Sequence, residues 1–145
     1  MNLLHKAITE KRFIEGLIPQ KDPFVMVDKL FHFSEKKVVS GFTIPPANLF
    51  VDQGYFVGAG IIENMAQSVA LHTGYQYYLK NESPPTGYIG AIKSANIFKL
   101  PRSGHELMTT VTILHEILGV TLVAVQVTYN SLVIANSEMK TVLAN

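Results

Sequence analysis

Residues 57–79 read VGAGIIENMAQSVALHTGYQYYL, and this stretch decides the fold. It is apolar almost all the way round a helical projection, rich in small residues, and long enough for ~30 Å of helix. A helix without a polar face is expected to be buried on all sides, so the rest of the chain has to surround it. One carboxylate, Glu63, interrupts it, with Gln67 one turn further on and ~40° round the same face. An acidic group inside a buried helix is costly unless it is paired or put to use.

On the N-terminal side, residues 6–18 (KAITEKRFIEGLI) pattern as a short amphipathic helix stopped by Pro19. Phe24–Ser34 and Lys37–Ile44 are β-rich and read as two strands. Pro45-Pro46 ends the second and opens an irregular loop over residues 47–56, and Pro84-Pro85 ends the central helix. Beyond it, residues 87–98, 106–117, 120–129 and 132–143 are β-branched or alternating runs. Turn signals at Ser103-Gly104, Gly119 and Asn130-Ser131 separate them, which predicts an antiparallel meander. One buried helix and about six strands satisfy each other only if a curved sheet wraps the helix. The predicted class is α+β, the hotdog fold, as a single domain over residues 1–145.

Composition narrows the function. The chain is 48% hydrophobic and 16% charged, which makes it globular and not disordered. A net charge of +1 without a basic cluster gives no reason to expect nucleic acid. With no cysteine, disulfides, thiolate nucleophiles and Cys-based metal sites are excluded. Glu63, Asn64, Gln67 and His72 interrupt the long apolar run, so no membrane span is expected. The first residues lack an apolar core of signal-peptide length, and the cytoplasm is the expected location.

The order of motifs resembles the hotdog-fold 3-hydroxyacyl-(acyl-carrier-protein) dehydratases of fatty-acid synthesis over nearly the whole chain. Ile18-Pro19-Gln20-Lys21-Asp22-Pro23-Phe24, followed by Val27-Asp28, is similar to the family's LPHRxPFxxVD opening, with Gln20 in place of its His. Ile61-Ile62-Glu63-Asn64-Met65-Ala66-Gln67 is close to its LIEAMAQ helix, and Gly104 with Glu106-Leu107 loosely matches its PGDxL turn. The resemblance is closest to dehydratase-like proteins of aryl-polyene and flexirubin-type pigment clusters. In the family, a His in a GHFPG loop and the helix Glu, from opposite subunits of a dimer, form a catalytic pair. Aligned on Glu63, that His position falls on Leu49, followed by a matching Phe50.

The resemblance implies that Glu63 is a general acid protonating the departing β-hydroxyl, since a carboxyl taken out of water favours its proton-donating form. The alternative for Glu63 is a buried carboxylate kept for structure. Gln67 is placed to orient Glu63 or bind the substrate hydroxyl, or else to tie the helix to the sheet. The Gly58 amide, at the helix N-terminus, would receive a thioester carbonyl oxygen, or the glycine only permits the tight turn into the helix. Asp52 and Tyr55 lie in the loop that carries the family's His. Asp52 is either a base in its stead or a loop cap. Phe50, Tyr55, Phe56 and Phe98 line an acyl tunnel or simply pack. His72 is half a turn out of phase with Glu63, and no His has carboxylates at metal-ligand spacing.

Three activities follow. The first is a lyase that dehydrates (3R)-hydroxyacyl chains on acyl carrier protein to trans-2-enoyl thioesters. The second is a hotdog thioesterase working with Glu63 alone. The third is a non-catalytic partner that completes a shared site in a dehydratase heterodimer. No cofactor is implied, and no metal. The expected partners are acyl carrier protein, docked on Lys21, Lys37, Lys93, Lys99 or Arg102, and a second subunit in a homodimer or heterodimer.

Overall fold

A computed structural model describes residues 1–144. Its elements are α1 (Lys11–Gly16), β1 (Lys29–Ser34), β2 (Lys37–Thr43), β3 (Val51–Asp52), β4 (Tyr55–Phe56), α2 (Gly58–Leu79), β5 (Gly87–Ile97), β6 (Glu106–Ile117), β7 (Val120–Tyr129) and β8 (Leu132–Leu143). Six strands form one antiparallel sheet in the order β1-β2-β6-β7-β8-β5, and α2 lies against its inner face. Alternation puts Leu107, Val111, Val123, Val125 and Met139 on that face, where all are buried with Ile61, Met65 and Leu71 of the helix. The helix is the filling and the sheet the wrapping, as the hydrophobic pattern predicts.

The predicted four-strand meander holds only for β6, β7 and β8, because β5 pairs with β8 at the sheet edge and not with β6. Three local expectations also differ. The helix predicted over 6–18 is confined to Lys11–Gly16, because Ile8 instead bridges to Leu30 and extends the sheet edge. The strand predicted over 24–34 begins only at Lys29. Its first residues find partners on α2: the Met26 amide donates to Gln67 Oε1 at 2.6 Å, and the Met26 carbonyl accepts from Asn64 Nδ2 at 2.7 Å. A backbone satisfied by side chains has no groups left for a ladder. Lastly, the loop 47–56 holds the small β3–β4 hairpin, turned at Gln53 (φ 50°) and Gly54 (φ 83°). Two positive φ values at the central positions match the right-handed twist of a hairpin.

The largest difference concerns α2. It is not buried all round: Ala59 is exposed, and Ile62, Glu63, Ala66, Ala70 and Thr73 are half-buried along one stripe. That stripe faces the side where β5 ends the sheet. β5 is exposed along its whole length, although Ile89, Ile92 and Ile97 pair with Thr141, Met139 and Ala135 on the inward face. The opposite edge is covered, since the Leu3 amide donates to the Phe33 carbonyl and Ile8 bonds with Leu30. One edge is therefore capped and the other left open. Among the described residues no helix is long and apolar enough to cross a membrane.

Candidate active site

Glu63 stands on the open stripe of α2, one and a half turns from the helix start. Gln67 fixes it. The Gln67 amide group donates to Glu63 Oε2 at 2.7 Å and to the Phe24 carbonyl at 2.7 Å, while its oxygen accepts from the Met26 amide. With two acceptors on one side and a donor on the other, only one orientation of this amide satisfies all three bonds. Gln67 thus bonds to the Glu63 carboxyl and ties the helix to the 24–26 segment, which precedes β1, and not to a strand of the sheet. Among the described residues Glu63 Oε1 has no hydrogen-bond partner.

Glu63 opens into an apolar cavity of about 490 Å3 between the end of α1, α2 and the start of β5, a size usual for ligand pockets. Gln20 lines the same cavity, and its side-chain oxygen is enclosed without a partner. Such a group in a native structure calls for a ligand or a water. Sequence reasoning marked Gln20 only as a departure from a motif; its lone signal was a polar residue between Pro19 and a charged turn.

Beneath Gln67 runs a polar column that the sequence did not single out. Asn64 donates to the Met26 carbonyl and accepts from Thr109 Oγ1 at 2.6 Å. Ser68 donates to the Asn64 carbonyl and shares a 2.7 Å bond with Ser40. All four side chains are buried. The spacing 64, 67, 68 was the available signal, since these positions share a helix face.

The remaining candidates gather at the other end, round the N-terminus of α2, and none lines the Glu63 cavity. Leu49 is 52% exposed and Phe98 64%. The Phe50 carbonyl accepts from the Val57 amide, and the Phe50 Cβ lies 2.7 Å from where a Gly60 side chain would begin. Asp52 is exposed and pairs with Tyr55 across the hairpin. The Tyr55 hydroxyl accepts from Arg102 Nη2 at 2.9 Å, with the guanidinium 4.7 Å from its ring centre. The Gly58 amide lies in the first helical turn, where amides have no partner within the helix. Phe56 belongs to the core.

No histidine of the described residues bonds to Glu63. His72 is buried, with Nε2 2.9 Å from the Ser34 carbonyl, and burial lowers its pKa against the opposing pull of that carbonyl. His105 stacks on Tyr129 at 4.0 Å. The His32 Nε2 is enclosed, and its pKa is lowered, first by burial and then by Lys37 and the N-terminus. Among the described residues no three His, Asp or Glu side chains meet in a metal-binding group. Of the five cations proposed for docking, two are engaged: Lys21 binds the Glu15 and Ile18 carbonyls, and Arg102 holds Tyr55.

Comparison with known proteins adds the following. A family model for ApeP-like proteins, described as ApeP dehydratase, matches residues 12–142. No curated protein matches the chain in sequence. The dehydratase heterocomplex ApeI:P from Xenorhabdus doucetiae superposes with a TM-score of 0.84 at 17% identity, covering 91% of each chain. The uncharacterized protein PH1136 from Pyrococcus horikoshii gives 0.69 at 14% identity, over 90% of this chain and 92% of that one. A hypothetical thioesterase with coenzyme A from Streptococcus pneumoniae gives 0.65 at 12% identity, over 80% and 84%. At such identities the likeness establishes the hotdog fold.

Proposed function

The chain belongs to the ApeP-like dehydratase family, and from that premise we propose that it supplies one half of an active site dehydrating (3R)-hydroxyacyl chains on acyl carrier protein. Glu63 is its contribution. In its protonated form Glu63 gives a proton to the β-hydroxyl, which leaves as water as the Cα–H bond is broken by a base and the Cα–Cβ double bond forms. The base is a histidine of a second, different subunit, seated against the open side of α2 and β5. The observation that carries this reading is the state of Glu63. It is oriented by Gln67, faces an apolar cavity, and has no histidine bonded to it, with the exposed Leu49 where the family has its own.

The similarity to a complex named as a dehydratase heterocomplex supports a heterodimer over a homodimer. Gly58, Leu49, Phe50, Asp52, Tyr55 and Phe98 are left out of this half-site, because none of them lines the Glu63 cavity. The cytoplasm, where acyl carrier protein is charged and used, is the compartment this reading implies.

The experiment is to purify the chain alone and together with a His-bearing dehydratase of the same gene cluster, and to supply a 3-hydroxyacyl carrier thioester. The expected result is enoyl thioester formation by the pair and not by the chain alone, reduced at least a hundredfold by Glu63→Gln. Turnover by the pair that is indifferent to Glu63→Gln overturns the assignment. Release of free thiol by the isolated chain replaces it with a thioesterase, an activity that the name of one similar structure carries.

A further inference from the structure

The β6–β7 hairpin ends in a turn whose first residue is a leucine. Leu118 and Gly119 both hold positive φ, 50° and 79°, the pair of values that a two-residue turn needs to suit the strand twist. A side chain is strained at the first of these positions, where Asn or Gly is the usual occupant. Corresponding turns of this chain begin with Gln53 (φ 50°) and Asn130 (φ 49°), both polar. Leu118 is 99% exposed, so no packing inside the chain offsets its strain.

Leu118 tops an apolar row that crosses four strands. Ile117 stands opposite Val120, Val120 opposite Val142, and Val142 opposite Tyr88. Directly opposite residues share a face. Here it is the outer face, since Met139, three positions before Val142, belongs to the core. All four are exposed, Ile117 by 67%, and three strand spacings make the row ~14 Å wide. Two residues back along the strands, ~7 Å away, the exposed His115 and Lys140 both stand opposite Leu122. The exposed Lys80 shares a cavity wall with Leu118. The nearby acids are set apart from the row: Glu116 lines that cavity on the α2 side, and Glu138 lies one row further back.

We propose that this end of the sheet docks on an anionic lipid surface, with Leu118 and the Ile117–Tyr88 row entering the bilayer interface and Lys140 and Lys80 at the headgroups. The order of the groups matches the layers of an interface. Apolar side chains seat ~5–10 Å into the boundary between headgroup and acyl chain, and cations stay with the phosphates. The ~7 Å between the apolar row and Lys140 is that depth. A projecting turn also suits a fluid apolar layer better than a flat protein face. A second copy seated on the row by a two-fold axis would bring the two Lys140 side chains towards one boundary, where like charges repel. Lipid phosphates put the opposite charge there.

The test is flotation of the full chain with vesicles of 30% phosphatidylglycerol in phosphatidylcholine, and with phosphatidylcholine alone. We expect partition into the anionic vesicles, weakened by high salt, and at least tenfold less into the neutral ones. Leu118→Asn lowers partition at least tenfold while keeping or raising the melting temperature, because Asn suits the turn. Ile117→Thr, on a strand, repeats the loss should the turn variant misfold. Lys140→Gln lowers partition about fivefold. Leu132→Asn, which removes an exposed leucine beside the other hairpin turn, changes nothing. The sequence holds no tryptophan, so Leu118→Trp is a lone reporter whose emission should shift to the blue on vesicles and be quenched by lipids brominated in their acyl chains. No flotation, equal flotation of Leu118→Asn and the wild type, equal binding to neutral vesicles, or an unshifted tryptophan on floating chains overturns the proposal. Self-association that Leu118→Asn abolishes, seen by sedimentation velocity in the absence of vesicle binding, also overturns it and assigns the row to a second copy.

Discussion

Gln67 shows how one side chain serves stability and chemistry at once. Its three hydrogen bonds tie the Phe24–Met26 backbone to α2 and leave Glu63 with one fixed and one free oxygen. In a site that is partly closed to water, each of these bonds is worth more to lose than to gain, because the stranded partner keeps its desolvation cost. Gln67→Leu leaves the Met26 amide and the Phe24 carbonyl unpaired, and we expect a loss of about 2–4 kcal/mol, measured as a shift of the urea midpoint at constant slope. Gln67→Glu keeps an acceptor for Met26 but sets a second carboxyl against Glu63. It should lower kcat of the complex more than it raises KM; equal effects on the two would assign Gln67 to substrate binding instead.

At the scale of elements, α2 is held by contacts that depend on its small residues. Gly74 packs directly against the chain just after α1, where a methyl group would overlap the Leu17 carbonyl. Backbone cannot move aside as a side-chain tip can, so Gly74→Ala is expected to cost about 1–3 kcal/mol by overpacking. Gly16, at the end of α1, has nothing within 4 Å of its missing side chain, and Gly16→Ala should gain up to about 1 kcal/mol from helix propensity. Thermal unfolding of the two variants side by side checks the pair. Equal behaviour would mean that α2 does not rest on Leu17. The same closeness forms the cavity, since Gly16, Leu17 and Ile18 are part of its wall.

For the molecule as a whole, the buried His72 couples stability to pH. Burial lowers its pKa in the folded chain, partly offset by the Ser34 and Glu35 carbonyls and by Glu116, with Lys36 adding to the lowering. The unfolded chain therefore takes up a proton first as pH falls below about 6.5. Stability from this group is complete above that pH and declines as pH drops from the unfolded towards the folded pKa. His32 shifts in the same direction. Melting curves between pH 7.5 and 5 should fall on the acid side, as a matter of roughly one proton per histidine, and flatten in a His72→Gln, His32→Gln double variant. An unchanged acid limb in that variant would place the effect on the carboxylates. The unpaired β5 edge and the half-covered stripe of α2 belong to this scale too. Both are apolar surfaces that one chain leaves in water, and both border the Glu63 cavity.

Much of this was legible in the chain itself. Apolar periodicity sets helix against strand, because period 3.6 and period 2 bury different residues. It therefore located α2 within one residue and the four strands after it, though not their order, since β5 pairs with β8 and only β6, β7 and β8 form a meander. The ENMAQ segment placed Glu63 and Gln67 on neighbouring positions of one face. What only the tertiary structure decided were matters of which surface meets which. Met26 takes its partners from Asn64 and Gln67, some forty residues away, because a backbone group bonds to whatever polar atom the fold brings to it. Gln20 reaches the Glu63 cavity while Leu49, Tyr55 and Phe98 do not, since proximity in a loop says nothing about which side of a helix a residue will face. And α2, apolar enough in sequence to be buried on all sides, is left open on the side of β5. Hydropathy records that a surface avoids water; it does not record whether the same chain or another one covers it.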